Sequence, residues 1–166
     1  MLMTRRLTLA VALVVAPLVA LACAPKEKPA VTDTVLREFA TRYTAAWCSQ
    51  RAASVAAHFA EQGSLTINAG APAVGRAAIT ASAQAFMTAF PDMIVAMDSL
   101  TVNGTHAVYH WTLTGTNTGP GGTGQAVRIH GYEEWTSGAD GLIAASLGHY
   151  DEAEYARQLK EGVGPR

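Results

Sequence analysis

The sequence has few charged residues, few cysteines and no long basic segment. Of its 166 residues, 15% are charged, and the formal net charge is −1. Lys and Arg number 12, with no basic cluster after residue 6, so the cationic surface that nucleic-acid binding requires is missing. Two cysteines cannot form a disulfide framework or a structural zinc site. A hydrophobic content of 49% excludes intrinsic disorder, and the length suits one domain.

Residues 1–22 have the three-part pattern of a secretory signal peptide. A basic start at Arg5 and Arg6 precedes the apolar run 7–19, and small residues follow before Cys23. The apolar run is shorter than the ~20 residues that a membrane-spanning helix needs. We therefore predict that this segment directs export and is removed.

Cys23 resembles the lipidated cysteine of bacterial lipoprotein signals, which becomes the N-terminus after cleavage. The alternative is cleavage after Ala22 or Ala24, which would release a soluble secreted protein. Residues 26–28 are charged and flanked by Pro25 and Pro29, and we predict that residues 23–30 form a tether. We expect a protein of the bacterial cell envelope that contacts the membrane only through its lipid.

Helices come first in the mature chain. Apolar residues at helical spacing predict helices over residues 31–50, 51–61 and 76–90, with a short strand at 64–68. Pro91 ends the third helix because proline cannot continue the helical hydrogen-bond pattern.

Strands follow, because the apolar period changes from about 3.6 to 2 after Pro91. Four strands are predicted, over residues 92–102, 105–116, 125–135 and 142–150. Their short, turn-rich connections favour antiparallel pairing. A last helix is predicted at 151–160, followed by a tail at 161–166. The order predicts an α+β domain over residues 31–160, with helices covering one face of a curved antiparallel sheet.

Glu133 is the exception on an otherwise apolar strand face. It shares its alternation phase with Trp135, and the preceding strand has Tyr109 and Trp111 in the matching phase. Burying an unpartnered carboxylate is costly and raises its pKa, which suits a catalytic or ligand-binding acid. The alternatives are that it reaches solvent or Arg128 at the sheet edge, or forms a structural hydrogen bond to a helix terminus.

His149 is the second candidate, because it lies in the apolar phase of the final strand. A turn at 137–141 sets Glu133 opposite Ala145 and His149 opposite Ile129. Four residues along a strand span about 13 Å. The two side chains would therefore serve opposite ends of one pocket without direct contact.

The other histidines and Cys48 are weaker candidates for a catalytic or binding role. A turn centred near Pro120 sets His110 opposite His130 on the outer face, with His106 near Glu134. Such a face could bind a metal, but solvent or another subunit more commonly covers it, and no metal site is predicted. Cys48 is interpreted as a packed hydrophobic residue.

Four short segments occur in order along the chain: FPDM (90–93), WTLTGTNTG (111–119), GYEEW (131–135) and DGLI (140–143). Together with the order of elements over residues 31–160, they resemble the nuclear transport factor 2-like superfamily. The resemblance is closest to its SnoaL-like, polyketide cyclase-like branch.

The resemblance implies a cone-shaped α+β fold with a deep apolar pocket between the helices and the concave sheet. Members include cyclases, steroid isomerases, dehydratases and domains without a known reaction, often as homodimers. The cyclases work without cofactor or metal, through an acid–base residue that enolises the substrate. Glu133 lies where such enzymes carry a functional Asp or His, whereas Asn117 and Gly148 replace a usual His and Asp.

We therefore predict an exported SnoaL-like domain that binds a small hydrophobic molecule. Glu133 and His149 are the candidate polar groups, with Glu133 as the base of any isomerase- or cyclase-type chemistry. The alternative is a non-catalytic domain that binds a ligand or a protein partner. Packing in the core is the alternative role for Trp47 and Phe86. Six aromatic residues are the predicted lining: Tyr43, Trp47, Phe86, Tyr109, Trp111 and Trp135.

Overall fold

The computed structural model describes residues 33–164. The predicted signal peptide, the tether and Cys23 lie outside the described residues. Within them, no helix is both long enough and apolar enough to cross a bilayer. The elements in chain order are α1 (Asp33–Cys48), α2 (Ala52–Ala56), β1 (Phe59–Ile67), β2 (Ala73–Val74), α3 (Gly75–Ala89), β3 (Ile94–Asn103), β4 (His106–Thr116), β5 (Ala126–Ser137), β6 (Ile143–Tyr150) and α4 (Glu152–Glu161).

One curled six-stranded sheet carries the domain, in the order β2-β1-β6-β5-β4-β3. Strands β3 to β6 form the predicted antiparallel meander. Strand β1 pairs in parallel with β6, with Ser64 opposite Ala145 and Ile67 opposite Gly148. This pairing joins the first strand to the last and fixes the α+β architecture that the order of elements predicted.

The core lies between α1, α3 and the inner face of the sheet. Helix α1 buries Leu36, Phe39 and Tyr43, which recur at intervals of three or four residues and so form one apolar stripe. The sheet contributes Tyr109 and Trp135, which are 0% and 2% exposed. The prediction that Tyr109 and Trp135 lie on the apolar inner faces of their strands is therefore confirmed.

The second predicted helix is much shorter than expected. It ends at Ala56, and β1 begins at Phe59 instead of within the 64–68 segment. Phe59 is fully buried and pairs with Ile143, whose backbone N–H donates to His58 O at 3.0 Å. Tertiary pairing thus overrides the helical pattern of this segment.

The register between β4 and β5 differs from the prediction by two residues. His110 lies opposite Tyr132 and not His130, and His106 lies opposite Thr136. The cause is the loop that connects the two strands. A hydrogen bond from Asn117 N to Gln125 O, 2.8 Å long, places the centre of this loop at Gly121, one residue after Pro120.

The register between β5 and β6 is also different, and it changes which face β6 presents. Thr136 pairs with Ala145 while Ser137 pairs with Ile143, so Ala144 is an extra residue in β6. Such a bulge reverses the alternation of the residues after it. The inner face of β6 beyond it therefore carries Ser146 and Gly148, whereas Leu147 and His149 turn outward.

Candidate functional site

An apolar pocket opens between the helices and the concave face of the sheet. About 60 Å³ of its interior is open to the centre of a water-sized sphere. One water needs about 10–15 Å³ by this measure, so the space is several times that of a single water. Strands β1, β3, β4 and β5 supply aliphatic side chains to the wall. Among residues 33–164 the aromatic lining is Trp47, Phe86, Phe90, Tyr109, Trp111, Tyr150 and Tyr155.

Glu133 lies in the wall of this pocket and is only 6% exposed. Its Oε2 atom accepts hydrogen bonds from Ser146 Oγ at 2.6 Å, Trp135 Nε1 at 2.9 Å and the Tyr43 hydroxyl at 3.0 Å. Its Oε1 atom is 3.3 Å from the same Tyr43 hydroxyl. One carboxylate oxygen is therefore saturated, and the other has a single long contact.

The environment of Glu133 contains no positive charge within the described part of the chain. Burial raises the pKa of Glu133, while the hydrogen bonds from Ser146, Trp135 and Tyr43 act in the opposite direction. The side chain reaches neither solvent nor Arg128, and its donors are side chains and not a helix terminus. The predicted buried acid is thus in place, without a counter-charge.

Two buried phenols lie beside this carboxyl group. The Tyr109 hydroxyl is 2.7 Å from Thr44 Oγ1, and its ring stacks on Trp135 with 4.8 Å between the ring centroids. Burial is the main cause that raises the pKa of Tyr109 and of Tyr43, and the nearby Glu133 carboxylate adds to it. Both phenols are therefore neutral hydrogen-bonding groups at physiological pH.

Four of the six predicted aromatic residues line the pocket, and two do not. Trp47, Phe86, Tyr109 and Trp111 are in the wall. Tyr43 and Trp135, which were also predicted to line the pocket, are not in its wall, and both donate hydrogen bonds to the Glu133 carboxylate.

Several residues of the site were missed by sequence reasoning. Phe90 and Tyr155 line the pocket from the end of α3 and from α4, and the apolar spacing of these helices could have indicated them. No such signal indicated Ser146, because the simple alternation of β6 places it on the outer face and only the bulge at Ala144 turns it inward.

His149 does not reach the pocket, so its predicted role there is wrong. It lies on the outer face, where its ring stacks on Tyr132 with 4.7 Å between centroids. Its Nε2 atom is 3.4 Å from Glu134 Oε1, within ion-pair distance but outside hydrogen-bond geometry. The physical reason is the bulge in β6, which turns residue 148 inward and residue 149 outward.

The other sequence candidates have structural partners. Cys48 Sγ is 3.2 Å from both the N and O atoms of Val95 and packs against the core. The Asn117 side chain closes its own loop by accepting from Thr123 N at 2.8 Å. Across residues 33–164, no three His, Cys, Asp or Glu side chains come together in a group that could hold a metal ion.

Solved structures share this fold. A Jannaschia sp. CCS1 protein assigned as a SnoaL-like polyketide cyclase is 19% identical, with a TM-score of 0.70 and coverage of 84% of this chain and 100% of that one. A Catenulispora acidiphila protein with a ketosteroid isomerase-like fold, in complex with trimethylamine, is 18% identical, with a TM-score of 0.66 and coverage of 73% and 91%. A phenazine biosynthesis-related protein of Pseudomonas aeruginosa is 15% identical, with a TM-score of 0.62 and coverage of 80% and 92%.

At these identities the solved structures establish the fold and not the reaction. The comparison with curated proteins finds no match. The family comparison is more specific, because residues 40–146, more than half of the chain, match the SnoaL-like domain. The matched segment contains the buried stripe of α1 after Ala40, the pocket strands and Glu133. The chain therefore belongs to the SnoaL-like domain family.

Proposed function

We propose that this domain binds a small, mostly apolar molecule in its pocket and that Glu133 exchanges a proton with it. The observation that carries the proposal is the placement of Glu133, a buried carboxyl group in an aromatic wall without a neighbouring cation among residues 33–164. Burial raises the pKa of Glu133 toward the range in which a carboxyl group can both take and return a proton near neutral pH.

The hydrogen bonds of Glu133 indicate which atom would react. Three donors hold Oε2, so the side chain has a fixed orientation. Oε1 has one contact of 3.3 Å and is the oxygen available to a ligand. A single group of this kind suits a cofactor-free isomerisation or cyclisation, in which it removes a proton from carbon beside a carbonyl and returns it elsewhere. SnoaL-like polyketide cyclases and ketosteroid isomerase-like proteins share the fold and make this chemistry the first to test.

Binding without turnover is the second candidate, and one observation favours it. Among the described lining residues, Glu133 is the sole carboxylic acid and there is no histidine, because His149 is on the other face of the sheet. A reaction that needs separate acid and base groups would find no second one. The domain would then hold its ligand without changing it.

The decisive variant is Glu133→Gln. The amide oxygen can accept from Ser146, Trp135 and Tyr43 as Oε2 does, so the pocket keeps its shape while the base is lost. Glu134→Gln is the matched control, because Glu134 is the next residue on the same strand and is exposed on the outer face.

The assay follows hydrogen–deuterium exchange beside the carbonyl group of small aryl and cyclic ketones, including acetophenone, in D₂O by NMR. We expect the wild-type protein and Glu134→Gln to accelerate exchange, and Glu133→Gln to lose about 100-fold or more. Equal exchange by Glu133→Gln and wild type would refute the role of Glu133 as base. Ketone binding without accelerated exchange by any of the three proteins would favour the non-catalytic alternative.

Export and lipid anchoring belong to the same proposal. The basic start, the apolar run and the small residues before Cys23 support transport to the cell envelope with the domain tethered outside the membrane. The ligand would then be a molecule of that compartment. A homodimer is the assembly that the family resemblance favours, and sedimentation of the mature domain tests it.

A further inference from the structure

Trp111 occupies a fixed place in the pocket wall. It lies in the middle of β4, directly opposite Gly131 on β5. A Cβ atom added to Gly131 would lie 2.3 Å from Cζ2 and 2.6 Å from Cη2 of the indole. The missing side chain at Gly131 therefore admits the indole ring, which closes this part of the wall.

The indole N–H of Trp111 is buried and has no hydrogen-bond partner among residues 33–164. An indole nitrogen can only donate, and buried donors in folded proteins are normally satisfied by protein, water or ligand. Two neighbouring polar side chains already have partners. Tyr109 contacts Thr44, and Trp135 donates its N–H to Glu133.

The position of Trp111 relative to Glu133 suits a shared ligand. Tyr109 pairs with Glu133 and Trp111 with Gly131, so Trp111 and Glu133 are diagonal neighbours on the inner face. Diagonal neighbours on adjacent strands have Cα atoms about 7–8 Å apart. A molecule of modest size can therefore touch both side chains at once.

We propose that Trp111 is a specificity-determining residue whose indole N–H binds a carbonyl-type oxygen of the ligand. The inference rests on the proposed function, since it concerns the same pocket. It defines the ligand class as a neutral molecule with an apolar body and a hydrogen-bond acceptor, placed so that the atoms beside the acceptor lie next to Glu133. A pure hydrocarbon would fill the pocket but leave the buried donor unsatisfied.

Two probes of nearly equal shape test this inference. Acetophenone and ethylbenzene differ in one carbonyl oxygen, and NMR titration gives a dissociation constant for each. Because ethylbenzene leaves water more readily, the informative quantity is the ratio of the two constants. We expect Trp111→Phe to shift this ratio against acetophenone by about five- to tenfold, which lies within the range for the loss of one hydrogen bond.

Trp47→Phe is the matched control, because it removes another indole from the same wall. It should change both dissociation constants by similar factors and leave their ratio in place. In the wild-type protein, the indole N–H signal of Trp111 should move downfield with acetophenone and not with ethylbenzene. This signal gives a readout even if Trp111→Phe does not fold.

The outcomes separate this inference from the proposal on which it rests. An unchanged ratio in Trp111→Phe, an equal change in Trp47→Phe, or no ketone-specific shift of the indole signal overturns it. If the ratio and the signal behave as expected while ketones show no accelerated exchange, Trp111 is supported and the role of Glu133 as base falls. If neither probe binds, pocket binding fails and the inference fails with it.

Discussion

Replacing Ser146 by alanine tests the hydrogen bonding of the buried carboxylate. Ser146 is fully buried, and its Oγ atom donates to Glu133 Oε2 at 2.6 Å. The substitution removes that donor without adding volume, while Trp135 and Tyr43 still bind the same oxygen. The change in stability therefore reports the bond between Ser146 and Glu133.

The expected cost depends on the charge of Glu133. A hydrogen bond to a charged group contributes about 1.5–3 kcal/mol to the free energy of unfolding, and one to a neutral group about 0.5–1.5 kcal/mol. Because burial raises the pKa of Glu133 above its unfolded value, the wild-type protein loses stability as pH rises through the folded pKa. The bond from Ser146 lowers that pKa, so its removal enlarges the loss.

Urea unfolding at pH 5 and pH 9 measures the effect. Ser146→Ala should destabilise the protein by roughly 1 kcal/mol at the lower pH and roughly 2 kcal/mol at the higher one. The same substitution in a Glu133→Gln background is the control, because the amide stays neutral. There the cost should be about equal at both pH values, and the double-mutant cycle isolates the pairwise free energy.

Equal costs at the two pH values in the Glu133 background would refute this reasoning. That result would mean that the charge of Glu133 does not change between them, or that Ser146 does not donate to it. A pH-dependent cost that persists in the Glu133→Gln background would assign the effect to another titrating group.

Three further substitutions have distinct expected outcomes. Gly131→Ala should lower the free energy of unfolding by about 1–3 kcal/mol, because its Cβ would overlap the ring of Trp111; thermal denaturation checks this, and a neutral effect would contradict the packing. Gln158→Ala should make the amides of α4 exchange faster with solvent, since its side chain binds Arg128 N at 2.6 Å and Arg128 O at 3.0 Å; unchanged protection in hydrogen exchange would show that α4 is held by other contacts. Cys23→Ser should move the full chain from the membrane fraction to the soluble fraction, and an unchanged membrane fraction would refute lipidation.

Local patterns were sufficient for most of the elements. The helical spacing predicted α1 and α3, and the alternation in β4 and β5 predicted their buried faces, because both signals depend on neighbours within one element. Glu133 was identified by the same alternation, and its burial at 6% exposure confirms that step. The family resemblance correctly implied the α+β fold.

Sequence reasoning failed where two distant segments meet. The second predicted helix is short because β1 pairs in parallel with β6. A pairing between such distant segments has no turn between its strands that the sequence could indicate. The extra residue at Ala144 shifted β6 and exchanged its faces. One bulge therefore removed His149 from the pocket and brought Ser146 to Glu133.

By itself the sequence determined the order of helices and strands and the apolar phase that buries Glu133, since hydrophobic periodicity is a local property. The tertiary structure decided what surrounds that carboxyl group. Tyr43 is 90 residues away along the chain and Ser146 is 13 away, yet both bind the same oxygen. Strand register and helix packing bring these residues together, and both depend on non-local contacts. A single inserted residue in a strand can move the side chains that follow it to the other face of the sheet.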